Sequence, residues 1–421
     1  MRLKTIKVGK DPFKGRDHAA IQSAVDEAAG GGIVELPAGT FVLRNAVYLR
    51  SGVALVGQGE RTVLRKAPAV ESPLADYLGY GHYEITLEKP EPFEPGMGVI
   101  ILDQNAVGFY TTTATLLRRD GNAFIIDKML NHDYKPEAGG RVINLHPLVA
   151  ADCAANVAVR GLTIDGGDEP QRINGCRGGG VFLLQARSAT VQDVEVTHFG
   201  GDAVSFQQCT DIVVRDCRVH HNRGSGLHPG SGSVRYLLAG NEVHHNDGDG
   251  VFYCLRTTHS LCARNDIHHN RGVGISVGER DTDHVLSDND IRSNGGSGLF
   301  LRDPLRRGAD RLLVEGNRFR GNGEPEVRIA PGLRDVVLRG NRFTAVKGEA
   351  VRIGRGAERI YLADNRLGGR PLAAAHVAGE CAAACFGERP EPLHVGPAAV
   401  REEHALHLAV ELPARPANFQ V

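Results

Sequence analysis

Along the middle of the chain apolar residues recur two apart in short runs, such as Leu-x-x-Asn-x-Ile and Gly-Ile-x-Val, the period of a strand with one buried face. The runs themselves repeat. Residues 233–256, 257–280 and 281–302 share one pattern of about 24 residues, which resumes in 309–332 and 333–356 after an insertion near Asp303–Gly308. One column of asparagines falls at Asn241, Asn265, Asn289, Asn317, Asn341 and Asn365, and a second at Asn222, Asn246, Asn270, Asn294 and Asn322. Glycines recur at Gly226, Gly250, Gly274 and Gly298. No single unit of this length can cover its own apolar face, so units must stack, with strands roughly 4.8 Å apart. Asparagine tolerates the left-handed conformation that tight turns need, and a column of asparagines can hydrogen-bond along a stack. The pattern predicts an all-β, single-stranded right-handed parallel β-helix. A leucine-rich horseshoe would need a helical segment and denser leucines in each unit, and neither is present.

The first stretch reads differently. Asp17 is an N-cap candidate, Ile21, Val25 and Ala28 share one helical face, and Gly30 ends the run. This predicts a short helix that plugs the otherwise open strand edges of the first coil. The expected organisation is an N-terminal strand and capping helix over 1–30, first coils over 31–85 and main coils over 149–368. Between the two sets of coils, 86–148 is rich in Pro, Gly and Thr and breaks the pattern, as a β-rich insertion or lid would. Residues 369–421 lose the repeat and are expected to form a C-terminal cap and tail.

Composition narrows the class. Of 421 residues 41% are hydrophobic and 24% charged, enough for a real core, and 53 glycines beside no tryptophan fit a chain of many tight turns. Net charge is −1, which argues against a protein that blankets nucleic-acid phosphates. No apolar stretch is long enough to cross a membrane. The opening MRLKTIKVGKDPFKGRDH has no apolar core, so no secretory signal is visible, and the expectation is a cytoplasmic chain or a secreted one trimmed of its leader. Eight cysteines without C-x-x-C spacing read as free buried thiols, and the lone Cys381/Cys385 pair lacks histidines at ligand spacing.

The helix, then Gly-Gly-Ile-Val-Glu-Leu-Pro-Ala-Gly, then Val-Ala-Leu-Val-Gly-Gln-Gly resembles the opening of the pectate-lyase-like superfamily, with the resemblance covering about residues 15–368. It implies a polysaccharide-binding outer sheet face. Locally, Ser225-Gly-Leu-His-Pro-Gly-Ser-Gly-Ser233 is similar in spacing to the Tyr-Gly-Val-Asp-Pro-His-Asp stretch of mannuronan C5-epimerases. Here the first aspartate position holds His228 and the histidine position Gly230, and the arginine of the next coil falls at Leu255, beside Arg256. More weakly, Gly201-Asp202-Ala203-Val204 and Gly224-Ser225-Gly226-Leu227 resemble polygalacturonase signatures. They lack one aspartate and the histidine, and Phe252 and Cys254 stand where that family has its arginine and lysine. The resemblance therefore carries over the place of a site and not the chemistry of each member.

If Leu227, Val251, Ile275 and Leu299 point inward, their neighbours point out. That puts Ser205, Gln207, Ser225, His228, Asp249, Phe252 and Ser276 on one face, with Asp202 before its glycine-containing turn and Arg256, Glu279 and Asp281 at the next turn. His228 can exchange a proton near neutral pH, and Arg256 can hold a uronate carboxylate in a bidentate fork, which together suit β-elimination or C5 epimerisation. Asp202, Asp249 and Glu279 would orient the sugar, and Ser205, Gln207, Ser225, Phe252, Ser276 and Asp281 would bind it. Two alternatives stand. Asp202 and Asp249 are two coils apart, roughly 9.6 Å, near the wide end of the separation used by inverting glycoside hydrolases. The other is a non-catalytic saccharide-binding β-helix protein. No cofactor is required and no metal ligand set is assigned, although the acidic turn Glu279, Asp281 and Asp283 is one that calcium could occupy. The histidine pairs His220/His221, His244/His245 and His268/His269 are expected to stack as a repeat decoration. The expected partner is a poly- or oligosaccharide; no nucleic acid and no membrane is expected, and the sequence is silent on oligomeric state.

Overall fold

The computed structural model describes residues 4–379, apart from 169, 171, 304–307 and 324. The repeat winds into a right-handed parallel β-helix whose coils hydrogen-bond into long parallel sheets, one of 21 strands and one of 11. In the smaller sheet, Val204–Gln207 pairs in register with Leu227–Gly230, followed by Val251–Phe252, Ile275–Val277, Leu299–Leu301, Val327–Ile329 and Val351–Ile353. The period of two sorts the side chains. Val204, Leu227, Val251, Ile275, Leu299, Val327 and Val351 form one fully buried inner column, each worth about 1.5–3 kcal/mol of burial. The alternate positions Phe182, Ser205, His228, Phe252, Ser276, Phe300 and Arg328 form the outer column.

Both asparagine columns are continuous ladders. In each, Nδ2 of one asparagine donates to Oδ1 of the next, as in Asn241 to Asn265 and Asn265 to Asn289 at 2.9 Å. The second ladder ends where Asn322 donates to the Glu326 carboxylate at 2.7 Å. The left-handed residue of each turn is not the asparagine but the one before it: His221, His245, His269 and Ser293 in one column, Gly240, Arg264, Asp288 and Gly316 in the other, all at positive φ. The bend turns backbone groups out of the sheet ladder, and the asparagine side chains satisfy them inside the tube.

Helix His18–Glu27 is capped by Asp17, whose carboxylate accepts from Ala20 N, and buries Ile21 and Val25, with Ala28 behind them, against the first coil. No helix is long and apolar enough to cross a membrane among the described residues. The excursion between the first and main coils is a six-stranded sheet running from Glu71–Pro73 to Arg141–Ile143, so it begins before residue 86. It has its own core, including Leu74, Ile85, Phe93, Ile101, Leu116, Phe124 and Tyr134. The chain rejoins the stack at Val149–Asp152, which pairs with Val47–Tyr48 on one side and Val181–Leu184 on the other. Coil pairing continues to Val377–Ala378. Cys381, Cys385 and the rest of the expected C-terminal tail lie outside the described residues.

Candidate functional site

A second outer column runs beside the first, through Gln207, Gly230, Cys254, Gly278 and Arg302. The glycines make room for the long side chains: a Cβ on Gly230 would collide with the Gln207 amide, and one on Gly278 with the Arg302 guanidinium. Arg302 therefore lies flat along the sheet. It donates to Ser276 Oγ at 2.9 Å and to the carbonyls of Tyr253 and Cys254 at 2.5 and 3.1 Å. Its guanidinium sits 4.2 Å from the centroid of the Phe252 ring.

His228 is 4% exposed. Its Nδ1 donates to Asp202 Oδ2 at 2.5 Å, while Asp202 Oδ1 accepts from Ser225 N at 2.6 Å. This fixes the ring from one edge. The Phe252 ring meets it edge to face at 5.2 Å. Above the pair lies the loop between Ala155–Asp165 and Val181–Leu184, with Gly175 so close that a Cβ there would strike both Asp202 and His228. Ser205 Oγ and Gln207 Nε2 donate to the Gly175 carbonyl and hold the loop down. The far edge of the ring, Nε2, is buried without a hydrogen-bond partner.

Two cysteines face that edge. The sulfurs of Cys176, from the covering loop, and Cys254, from the next coil, lie with a ring nitrogen of His228 within 4.8 Å of one another. Burial alone would lower the imidazole pKa, but the hydrogen bond to Asp202, followed by Cys254, raises it to about 9. The Cys254 thiol is held down mainly by the Cys176 thiol, against burial, and further by His228 and Arg302. Cys176 is correspondingly pushed up.

Cys176 also lines a cleft of about 350 Å³ between the covering excursion and the outer sheet face. Lys128, Arg177 and Arg256 are its charged lining residues, with Lys128 paired to Asp152 at 3.5 Å behind it, and no carboxylate lines it among the described residues. Phe109, Met129 and Phe182 give it apolar walls, and Asn131, Gln207 and Gln208 bring amides. Arg177 is fixed by its bond to the Phe109 carbonyl at 2.7 Å and by the Phe109 ring, 4.4 Å from its guanidinium carbon. Arg256 is exposed at the rim, at φ 58°, with no ion-pair partner among the described residues.

The expected site residues thus divide. His228, Asp202 and Phe252 meet directly, and Ser276 joins them through Arg302. Ser205 and Gln207 are buried under Gly175, and Ser225 contributes its backbone N–H to Asp202. Asp249 stands one coil on, its Oδ1 accepting from Val273 N at 2.7 Å and its pKa raised by burial. Arg256 reaches the cleft, whereas the cation against Phe252 and Cys254 is Arg302. Glu279 pairs with neighbouring Arg280 at 3.3 Å. Asp281 is fully buried and accepts from Thr257 N, Thr257 Oγ1 and Gly278 N, closing a turn as the asparagines do elsewhere. Asp283 is bound by Arg311, so all three carboxylates of the acidic turn have partners. The thiols are free, as expected, but not uniformly buried: Cys209, Cys217 and Cys262 are core residues, Cys176 and Cys254 half-buried, and Cys153 exposed. The histidine pairs stack along the larger sheet, His220 on His244 at 4.8 Å and His244 on His268 at 4.9 Å. Arg302, Cys176 and Cys254 join the site without having been assigned to it from the sequence.

Known proteins place the fold. No curated protein is similar to the chain in sequence. The mannuronan C-5 epimerase AlgE4 A-module of Azotobacter vinelandii is 19% identical, with a TM-score of 0.53 over 86% of this chain and 95% of that one. ORF18 of Geobacillus virus E2 is 13% identical, with a TM-score of 0.58 over 87% of this chain and 62% of its own. The catalytic domain of a GH87 alpha-1,3-glucanase, solved with tetrasaccharides, is 11% identical, with a TM-score of 0.53 over 86% and 58%. At such identities the likeness is one of fold. The model of the right-handed beta helix region matches residues 149–260 and 232–384, more than half of the chain, and the protein belongs to that family.

Proposed function

We propose that the chain is a carbohydrate-active enzyme that takes an acidic, uronate-bearing saccharide into the cleft under the excursion. The observation that carries this is the charge of the lining, in which Arg177 and Arg256 join Lys128, itself paired with Asp152 at 3.5 Å, and no carboxylate lines the cleft among the described residues. Neutral sugars have no need of such a lining, while a uronate carboxylate does. Phe109 and Phe182 offer flat apolar surface to sugar faces, and the amides offer partners for hydroxyls. The favoured reaction is β-elimination or C5 epimerisation. In both, a cation on the carboxylate makes the neighbouring C–H acidic and a nearby group takes the proton. Arg256 is assigned to the carboxylate, and the His228, Cys254 and Cys176 cluster, with Asp202 behind it, to proton removal. The epimerase A-module with the same fold supports this reading.

Asp249 favours a second reading. Burial raises its pKa, as suits the general acid of an inverting hydrolase, with Asp202 two coils away. A glycan panel read for both ultraviolet absorbance and reducing ends separates the two. An unsaturated uronate product, or inversion at C5 seen by NMR, supports the first reading. New reducing ends without unsaturation support hydrolysis. Saccharide binding with no turnover on the whole panel would leave a binding protein and overturn both.

A further inference from the structure

We infer that Cys176, His228 and Cys254 are the ligands of a soft divalent cation of the zinc class. Two thiol sulfurs and one imidazole nitrogen lie within 4.8 Å of one another. Bond lengths of about 2.3 Å to sulfur and 2.0–2.1 Å to nitrogen draw such a set around one tetrahedral ion with shifts of about an ångström or less. The donor set is one that selects zinc-class metals over calcium or magnesium.

The independent mark of a missing ligand is on the histidine. His228 is 4% exposed and its Nε2 has no geometric hydrogen-bond partner, a state that is costly for a buried polar atom if nothing fills it. The opposite nitrogen is already on Asp202 at 2.5 Å. A carboxylate behind the ring fixes the tautomer and aims Nε2 forward, which is how metal-bound histidines are held. A disulfide between Cys176 and Cys254 would leave Nε2 unpaired. The ligands come from two successive coils and from the loop over them, so the ion would pin Gly175 and its neighbours onto the sheet.

Three protein ligands leave a fourth position, the pattern of zinc sites that act on substrates. Cys176 lines the saccharide cleft, so that position takes an oxygen ligand from water; resting on the function proposed above, the metal-bound hydroxide, and not the three ligated side chains, would then take the substrate proton.

Elemental analysis of the full chain, purified with zinc and dialysed, tests the site. About one ion per chain is expected, falling at least tenfold in Cys176→Ser and Cys254→Ser and staying unchanged in Cys209→Ser, a buried thiol elsewhere. Asp202→Asn keeps all three ligands and should weaken metal affinity about 10- to 100-fold. Cobalt in place of zinc should give a sulfur-to-cobalt charge-transfer band that Cys254→Ser weakens by about half or more and that the Cys176→Ser, Cys254→Ser double variant abolishes, a readout that does not depend on turnover. Should His228→Ala fail to fold, the loop variant Cys176→Ser carries the test. Metal content near zero with both thiols free to titrate, or a Cys176–Cys254 disulfide in unreduced peptides, would overturn the proposal. Metal bound without saccharide binding would instead sink the functional reading and leave the site standing.

Discussion

Arg302 lies over the face of Phe252 while donating to the carbonyls of Tyr253 and Cys254, and so one side chain ties an outer aromatic to the strand end that carries Cys254. Replacing it by methionine keeps much of the stem and removes five donors. We expect Arg302→Met to cost about 1–3 kcal/mol in denaturant unfolding, from carbonyls left without a donor, with a smaller part from the lost cation–π contact. No loss of stability would mean that these carbonyls find water at once.

How far the sequence discloses this site depends on where the period holds. The inner and outer columns follow from alternation and the 24-residue repeat, and with them the meeting of Asp202, His228 and Phe252. Arg302 is legible by the same rule: it is the next member after Gly230, Cys254 and Gly278, and reading the column one coil further would have found it in place of Arg256. Cys176 is different. It sits in a loop outside the repeat, so no spacing relates it to His228. Cys254 falls in the outer column by the same alternation, but no spacing sets it beside Cys176. Asp281 is misleading for the opposite reason, since a carboxylate in a turn can serve buried backbone donors as well as solvent. The left-handed positions are also shifted, because in this turn the asparagine side chain is needed inside and the preceding residue takes the bend.

Arg256 is exposed at the cleft rim with no competing ion pair among the described residues, so its removal should touch binding and little else. Arg256→Ala is expected to weaken a uronate oligosaccharide about tenfold, the equivalent of one charge-assisted hydrogen bond. Wild-type affinity should also fall with added salt, as it does for exposed charges. Calorimetry on the variant and on a reduced, neutral form of the same oligosaccharide checks both. Equal affinity for the charged and neutral sugars would remove the basis of the acidic-substrate reading.

Gly175 has no space for a side chain between the loop and the Asp202–His228 pair. Those two groups are held by Ser225 N and by each other, so in Gly175→Ala the loop has to lift. The expected result is loss of most activity with a melting temperature only a few degrees lower, together with faster hydrogen exchange over the covering loop. Full activity in the variant would show that closure over His228 has no part in the reaction.

Asn265 sits mid-ladder, accepting from Asn241 N and Nδ2 and donating to Leu238 O and Asn289 Oδ1. Asn265→Ala strands buried donors that no water can reach, at about 1–3 kcal/mol for each group left unpaired. We expect a loss at least as large as that of Arg302→Met. Asp would keep the acceptor for Asn241 but lose the donors, so Asn265→Asp should not rescue. A near-neutral Ala variant would show the ladder to be ornamental.

Acid should weaken the fold before it breaks the carboxylates. His244 is held at about 3 by burial and then by its stacked neighbours His220 and His268, and the buried His284 and His146 are held at about 3 chiefly by burial. Each is below its unfolded value of about 6.5, so the unfolded chain binds more protons in between and stability falls as pH drops from about 6.5 toward 3. Asp281, raised by burial to about 6, runs the other way between about 4 and 6, and Asp249 and Glu326, also raised by burial, run the same way. But these three carboxyls oppose a larger set of imidazoles, since burial lowers His18, His221, His245 and His268 too. The melting temperature should therefore decline steadily below pH 6.5. In His244→Gln, where an amide fills the stack without titrating, that decline should be shallower by the share of one histidine. A melting temperature flat from pH 7 to 4 would mean that the stacked and buried imidazoles already take protons in the folded state.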